Sequence, residues 1–141
     1  MPASARAVEL AQAAAQAAAD KKAHDIVILD VGDQLAITDA FVIASAPNER
    51  QVQAVVDAIE ERLLTLPEKA KPTRREGERA GRWVLLDYLD IVVHVQHEEE
   101  RQFYSLDSLW KDCERVPFVD ADAPQPARTA ETVGVAEGDA A

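Results

Sequence analysis

The chain has one cysteine and five glycines in 141 residues, and no long apolar run. A lone Cys113 permits neither an internal disulfide nor a cysteine-based zinc site, which fits a reducing compartment. With so little glycine there is no Gly-x-x-x-x-Gly-Lys-Ser/Thr loop, and no Gly-x-Gly-x-x-Gly follows a strand-like run, so a phosphate cradle is missing. No Gly-x-Ser-x-Gly elbow is present, and Cys113 has no His close to it in sequence, so a nucleophilic triad has no visible members. His94 and His97 straddle a strand end instead of sharing a helix face, and His24 is remote, so neither a metal site nor a cofactor is expected. Nothing approaches the roughly 18–20 apolar residues of a membrane span. The alanine-rich N-terminus is broken by Glu9, Gln12 and Gln16 and lacks the apolar centre of a signal peptide. A soluble cytoplasmic protein without membrane contact is the expectation.

What is abundant is negative charge. Twenty-six acids oppose 15 bases, for a formal net charge of −11. Such a chain is repelled overall by nucleic acid and anionic membranes, and drawn to basic protein surfaces. Hydrophobic residues make up 48%, much of it alanine, which predicts one modest core. Residues 1–118 read as the folded domain. Residues 119–141 carry five acids, one base and almost no large apolar side chain, and are expected to form a disordered acidic tail.

Within the domain, residues 5–22 predict a helix through alanine propensity, docked loosely or lying across an edge of the sheet because Val8 and Leu10 are its only large apolar residues. "HDIVILDV" (24–31) and "ITDAFVIASA" (37–46) predict strands, the first buried on both faces. Asn48 with Gln51 predicts a capped helix start, and Val52, Val55, Val56, Ile59 and Leu63 then form one stripe. Residues 67–82 hold Lys69, Lys71, Arg74, Arg75, Arg79 and Arg82 against three glutamates and predict a basic loop with a piece of edge strand. "RWVLLDYLDIVVHVQ" (82–96) predicts a hairpin. The "EEERQFYSLDSLWKDCE" stretch predicts a single helix burying Phe103, Leu106, Leu109 and Trp110. The order argues an α/β domain with a mixed β-sheet and helices packed on it.

A two-residue turn at Leu89-Asp90 would pair Tyr88 with Ile91 and Trp83 with Gln96. Alternation then gives one wholly apolar face: Val84, Leu86, Tyr88, Ile91, Val93 and Val95. The other face carries Trp83, Leu85, Asp87, Val92, His94 and Gln96, with Asp87 and His94 in reach of each other at roughly 7–8 Å between α-carbons. That face is either the half-wet side of an ordinary sheet, with Asp87–His94 a structural pair, or an aromatic and charged anchor for a protein partner. The basic loop is either solvated or a contact for RNA phosphates. Asp87 and Asp90 allow a third reading, a metal-dependent phosphoryl-transfer site, although no phosphate cradle accompanies them.

Thr38-Asp39 before a strand, Arg50-Gln51-Val52 opening a helix, Glu76-Gly77 before Trp83, Asp87, the "VVHV" strand, and "ER" followed by "FY" and "LW" occur in one series. Over roughly residues 5–112 that series resembles the ribosomal silencing factor family, also called Iojap-like proteins. Leu89 stands where the family's turn usually has glycine, and Ala46-Pro47-Asn48 where many members have a Gly-Thr/Ser-Ser-like segment. The resemblance implies a fold similar to nucleotidyltransferases without their catalytic signature, and no enzymatic reaction. It implies binding to the large ribosomal subunit, chiefly through its protein fourteen, and a block to small-subunit joining that lowers translation. Trp83, Asp87, His94, Glu99, Arg101 and Tyr104 are the expected partner-binding residues, and residues 69–82 could add a peripheral contact to ribosomal RNA. A nucleotidyltransferase-like enzyme and a dimerisation module, with the free protein a homodimer, are the alternatives.

Overall fold

The computed structural model describes residues 3–121. Its elements run α1 (Ala5–Asp20), β1 (His24–Asp30), β2 (Ala40–Ala46), α2 (Glu49–Leu64), β3 (Arg74–Glu76), β4 (Trp83–Asp87), β5 (Ile91–His97), α3 (Glu98–Tyr104), α4 (Leu106–Leu109) and β6 (Glu114–Arg115). The strands make one sheet in the order β3-β4-β5-β2-β1-β6. β2 and β5 are parallel, and the other neighbouring pairs are antiparallel. This is the expected mixed sheet with helices. The expected tail lies outside the described residues beyond Ala121.

Helices α1 and α2 roof one face. Asn48 caps α2 by accepting from the Gln51 backbone N–H at 2.8 Å, and the predicted stripe is wholly buried. The Gln51 side chain does not complete a capping box. Its Nε2 donates instead to the Lys21 carbonyl at 2.6 Å, tying the end of α1 to the start of α2. Ser4 caps α1 through a bond from the Ala7 N–H.

The loose docking expected for α1 is wrong. Ala7, Leu10, Ala11, Ala14, Ala15, Ala17 and Ala18 are all buried, because small side chains let the helix lie close against the sheet and α2. The expectation that β1 is buried on both faces also fails in its first half, where His24 and Asp25 are exposed. Its outer neighbour, β6, reaches only Leu29 and Asp30.

The hairpin register is as predicted: Tyr88 N–H donates to the Ile91 carbonyl at 2.9 Å, and Trp83 pairs with Gln96. The turn needs Leu89 at φ +73°, with Asp90 N–H donating to the Tyr88 carbonyl, a γ-turn of the strained positive-φ kind. The Asp87 carboxylate steadies it by accepting from Leu89 N–H at 2.9 Å. Gly77, at φ +83°, lies so close to the Trp83 carbonyl that a Cβ would collide with it, which explains Glu76-Gly77 ahead of the tryptophan.

The single C-terminal helix is the largest departure. Ser105 adopts φ +46° and splits it into α3 and α4. Leu106 stays buried, but Phe103 is 80% and Leu109 70% exposed. The break re-aims the stripe that 3.6-residue spacing assigned to the core.

Leu89→Gly is expected to stabilise the fold by about 0.5–1 kcal/mol, the left-handed cost of roughly 1–2 kcal/mol offset in part by glycine's greater unfolded-state entropy. Urea titration would read this as a higher midpoint at an unchanged slope. A lower midpoint would mean that the 59%-exposed leucine packs favourably in spite of its backbone.

Candidate functional site

The sheet's second face has no long helix over it. Strand alternation puts Leu29 and Val27 of β1, Phe41 and Ile43 of β2, Val92 and His94 of β5, and Trp83 of β4 on that side. The short α3 and α4 and the turn after them add Tyr104, Leu106, Trp110 and Cys113. Burial pushes the Cys113 thiol up, away from the reactive thiolate.

The rings form a continuous chain. Phe103 packs edge-on to Tyr104 at 4.9 Å, and Tyr104 lies 4.9 Å from Trp83. Trp83 lies 6.1 Å from His94, His94 sits 5.0 Å from Phe41, and Phe41 meets Trp110 at 5.5 Å. The contacts of Phe41 and the Phe103–Tyr104 pair are edge-to-face, the arrangement favoured by ring quadrupoles, while the two contacts of Trp83 are tilted.

The joint is a hydrogen bond from the Trp83 indole N–H to His94 Nδ1 at 3.1 Å. It fixes the neutral tautomer with the proton on Nε2, and Nε2 itself is buried without a polar partner. His94 is only 6% exposed, and burial pulls its pKa down from 6.5 to about 4. The imidazole is therefore a neutral acceptor that orients the indole, and no acid–base group at neutral pH.

The six expected residues divide. Trp83, His94 and Tyr104 come together. The expected Asp87–His94 pair does not form although the register is the expected one, because the indole occupies His94 Nδ1 while the Asp87 carboxylate accepts from Leu89 N–H. Asp87 serves the turn and lies 3.6 Å from Arg74. Glu99, with its side chain 78% exposed, bonds Arg82 at 2.9 Å. Arg82 also meets Glu49 and Glu100, each at 3.0 Å, so one guanidinium ties α2, β4 and α3 together beside the tryptophan. These carboxylates hold the Arg82 proton more tightly still. Arg101 is buried at 9% exposure, so a surface contact through it is not what its position offers. Phe41, Phe103, Leu109 and Trp110 were not among the expected site residues. Phe41 meets His94 only because β2 pairs in parallel with β5, a pairing that alternation within each strand does not specify. The outward turn at Ser105 had no local signal.

The carboxylates offered for phosphoryl transfer are engaged elsewhere. Asp90 bonds Arg6 at 3.0 Å, Asp87 holds the turn, and no three His, Cys, Asp or Glu side chains cluster for a metal among the described residues. Nor is any described helix long and apolar enough to cross a membrane.

The profile of the family described as "Ribosomal silencing factor during starvation" matches residues 4–140. The chain belongs to that family. It is 41% identical over 108 residues to the ribosomal silencing factor RsfS of Halalkalibacterium halodurans, covering 77% of this chain and 91% of the relative. It is 38% identical over 109 residues to that of Bacillus subtilis, covering 77% and 88%. A crystal structure of a Chromobacterium violaceum protein superposes with a TM-score of 0.69 at 28% identity, over 81% of this chain and 94% of that one. Membership assigns a ribosome-associated silencing role, and the family's description names no reaction.

Because His94 is neutral when folded, its burial stabilises the protein fully above pH 6.5, and that contribution fades as pH falls toward about 4, where the folded form also protonates. Between about pH 7 and pH 4.5 the loss should be about 2–3 kcal/mol, and His94→Asn should lose less by that amount. Urea titrations of both proteins at the two pH values check it. Equal losses would place the titration elsewhere.

Proposed function

We propose that this protein is a non-catalytic translational repressor that binds the large ribosomal subunit through its protein fourteen and blocks small-subunit joining by occupying that ground. The carrying observation is the aromatic and apolar surface over the second sheet face: Tyr104 is 49%, Leu109 70% and Phe103 80% exposed, beside the half-buried Trp83. Contiguous exposed apolar side chains rimmed by charge mark protein contacts, and tryptophan and tyrosine dominate their energetics. The acidic surroundings suit a basic ribosomal protein. A role at the ribosome fits a cytoplasmic protein.

The basic loop contributes less than its sequence suggests. Arg74 pairs with Glu76 and Asp87, Arg75 with Glu60 and Glu78, and Arg82 with its three glutamates. Lys69, Lys71 and Arg79 are then the side chains left to reach RNA phosphates at the periphery. The same exposed patch favours a homodimer when ribosomes are absent, and light scattering across a concentration series reads it as a rising mass.

Added to separated subunits, the protein should lower the whole-ribosome peak in a sucrose gradient. Tyr104→Ala and Trp83→Ala should each weaken large-subunit binding at least tenfold. Tyr104→Ala, at a half-exposed position, should stay folded with a melting temperature lowered by only a few degrees. Unchanged subunit joining at saturating protein would overturn the reading, and wild-type binding by both variants would move the contact to another face.

A further inference from the structure

Gln96 is wholly buried, and among the described residues neither end of its side-chain amide meets a polar partner. It lies in the unbroken ladder of β5, two residues beyond His94 and on the same face. Its cross-strand neighbours there are Ser45 on β2 and Trp83 on β4. Both give their protons elsewhere. Ser45 Oγ donates to the His24 carbonyl at 3.1 Å, and the Trp83 indole donates to His94. The short α3 packs over β5 and β2 and helps to keep the amide from solvent.

A buried amide with nothing to bond is costly, and most such groups are satisfied by protein or by ordered water. The complementary group close by is the His94 Nε2–H, also buried and also without a polar partner. Gln96 offers a carbonyl oxygen and His94 an N–H. Alternate residues of a strand stand about 6.6 Å apart at their α-carbons. A single water spans about 4.5–5.5 Å between two polar atoms. Polar sites in a protein interior hold such waters, whereas apolar cavities stay dry.

We infer that one buried water joins the His94 Nε2–H to the Gln96 carbonyl oxygen, and that Gln96 is thereby a positioning residue for the Trp83 indole. The tautomer carries the effect. Nδ1 accepts from the indole only while the imidazole proton stays on Nε2, and the bond at one ring nitrogen decides the state of the other. With the proton on Nδ1 instead, two N–H groups would face each other across 3.1 Å. An acceptor at the far nitrogen, reached through the water, holds the proton there. Burial keeps the ring neutral, so the choice is between tautomers and not between charges. Gln96 thus selects the form of His94 that holds Trp83 in place. How the indole is held does not depend on what it meets, so the proposed ribosomal contact is not needed here.

The test is NMR on the full chain, isotopically labelled. The His94 Nε2 proton should show a cross-peak to water with the sign of a long-lived bound molecule. Gln96→Met keeps the length of the side chain and removes both polar ends. In that variant the cross-peak should vanish, and the imidazole nitrogen shifts should move toward a mixture of tautomers. The Trp83 indole N–H should then exchange at least tenfold faster, while unchanged amide exchange at Val55 verifies the fold. The wild-type cross-peak is read without any substitution, so a variant that fails to fold leaves that arm standing. A wild-type Nε2 proton with no water cross-peak would overturn the hydration site. Wild-type indole exchange in a folded Q96M would overturn the positioning role.

Discussion

Every residue of β2 is buried, so the sheet must be covered on both faces. The chain has aliphatic side chains enough for one thick layer, and α1 and α2 use them there. The second face is covered instead by rings from scattered places: Phe41, Trp83, His94, Tyr104 and Trp110. Rings cover more area per residue than aliphatics, so two short helices suffice where a long one would otherwise be needed. The cover is thin, and its outer surface stays apolar. The surface offered to a partner is thus a consequence of how the protein roofs its central strand.

The Trp83–His94 bond makes that thin layer definite. An indole N–H under Tyr104 would lose solvent without recompense, which is costly when no acceptor is supplied. A histidine kept neutral by burial supplies it, where a charged carboxylate would demand its own compensation. The polar pair imagined from alternation alone, Asp87 with His94, fails on that ground. One diagonal neighbour brings a charge to be desolvated, and the other brings a ring that wants to be buried.

The legible parts of this protein were those governed by short-range repetition. The hairpin's two faces, the α2 stripe with its Asn48 cap, and the short basic edge strand follow from periods of 2 and 3.6 and from side-chain capping. What was illegible depended on partners far away in sequence. The close docking of α1 depends on the small side chains of two facing layers, which no count of large apolar residues reveals. The break at Ser105 places an ordinary residue at positive φ, and only the requirement that Leu106 be buried while α3 starts from His97 selects it. Of the candidate site, Trp83, His94 and Tyr104 were readable as chemistry. Their contact was not, since Tyr104 reaches Trp83 from another element.

The charge distribution follows the same logic. A net charge of −11 would keep this protein away from an RNA-rich particle unless local contact offsets the repulsion. Three of the six bases in residues 69–82 are bound to the protein's own carboxylates, so the loop is more an internal brace than a phosphate-seeking patch. Arg82 is the clearest case: its charge is spent on holding Glu49, Glu99 and Glu100 beside Trp83. In the proposed contact, affinity comes chiefly from desolvating the rings, with charge guiding approach to a basic protein and away from bare RNA. Such a division gives binding that weakens only modestly with salt, in contrast to the steep dependence of proteins that neutralise many phosphates. Under that proposal the aromatic layer answers for both jobs, since the rings that close the fold on one side would close the interface on the other.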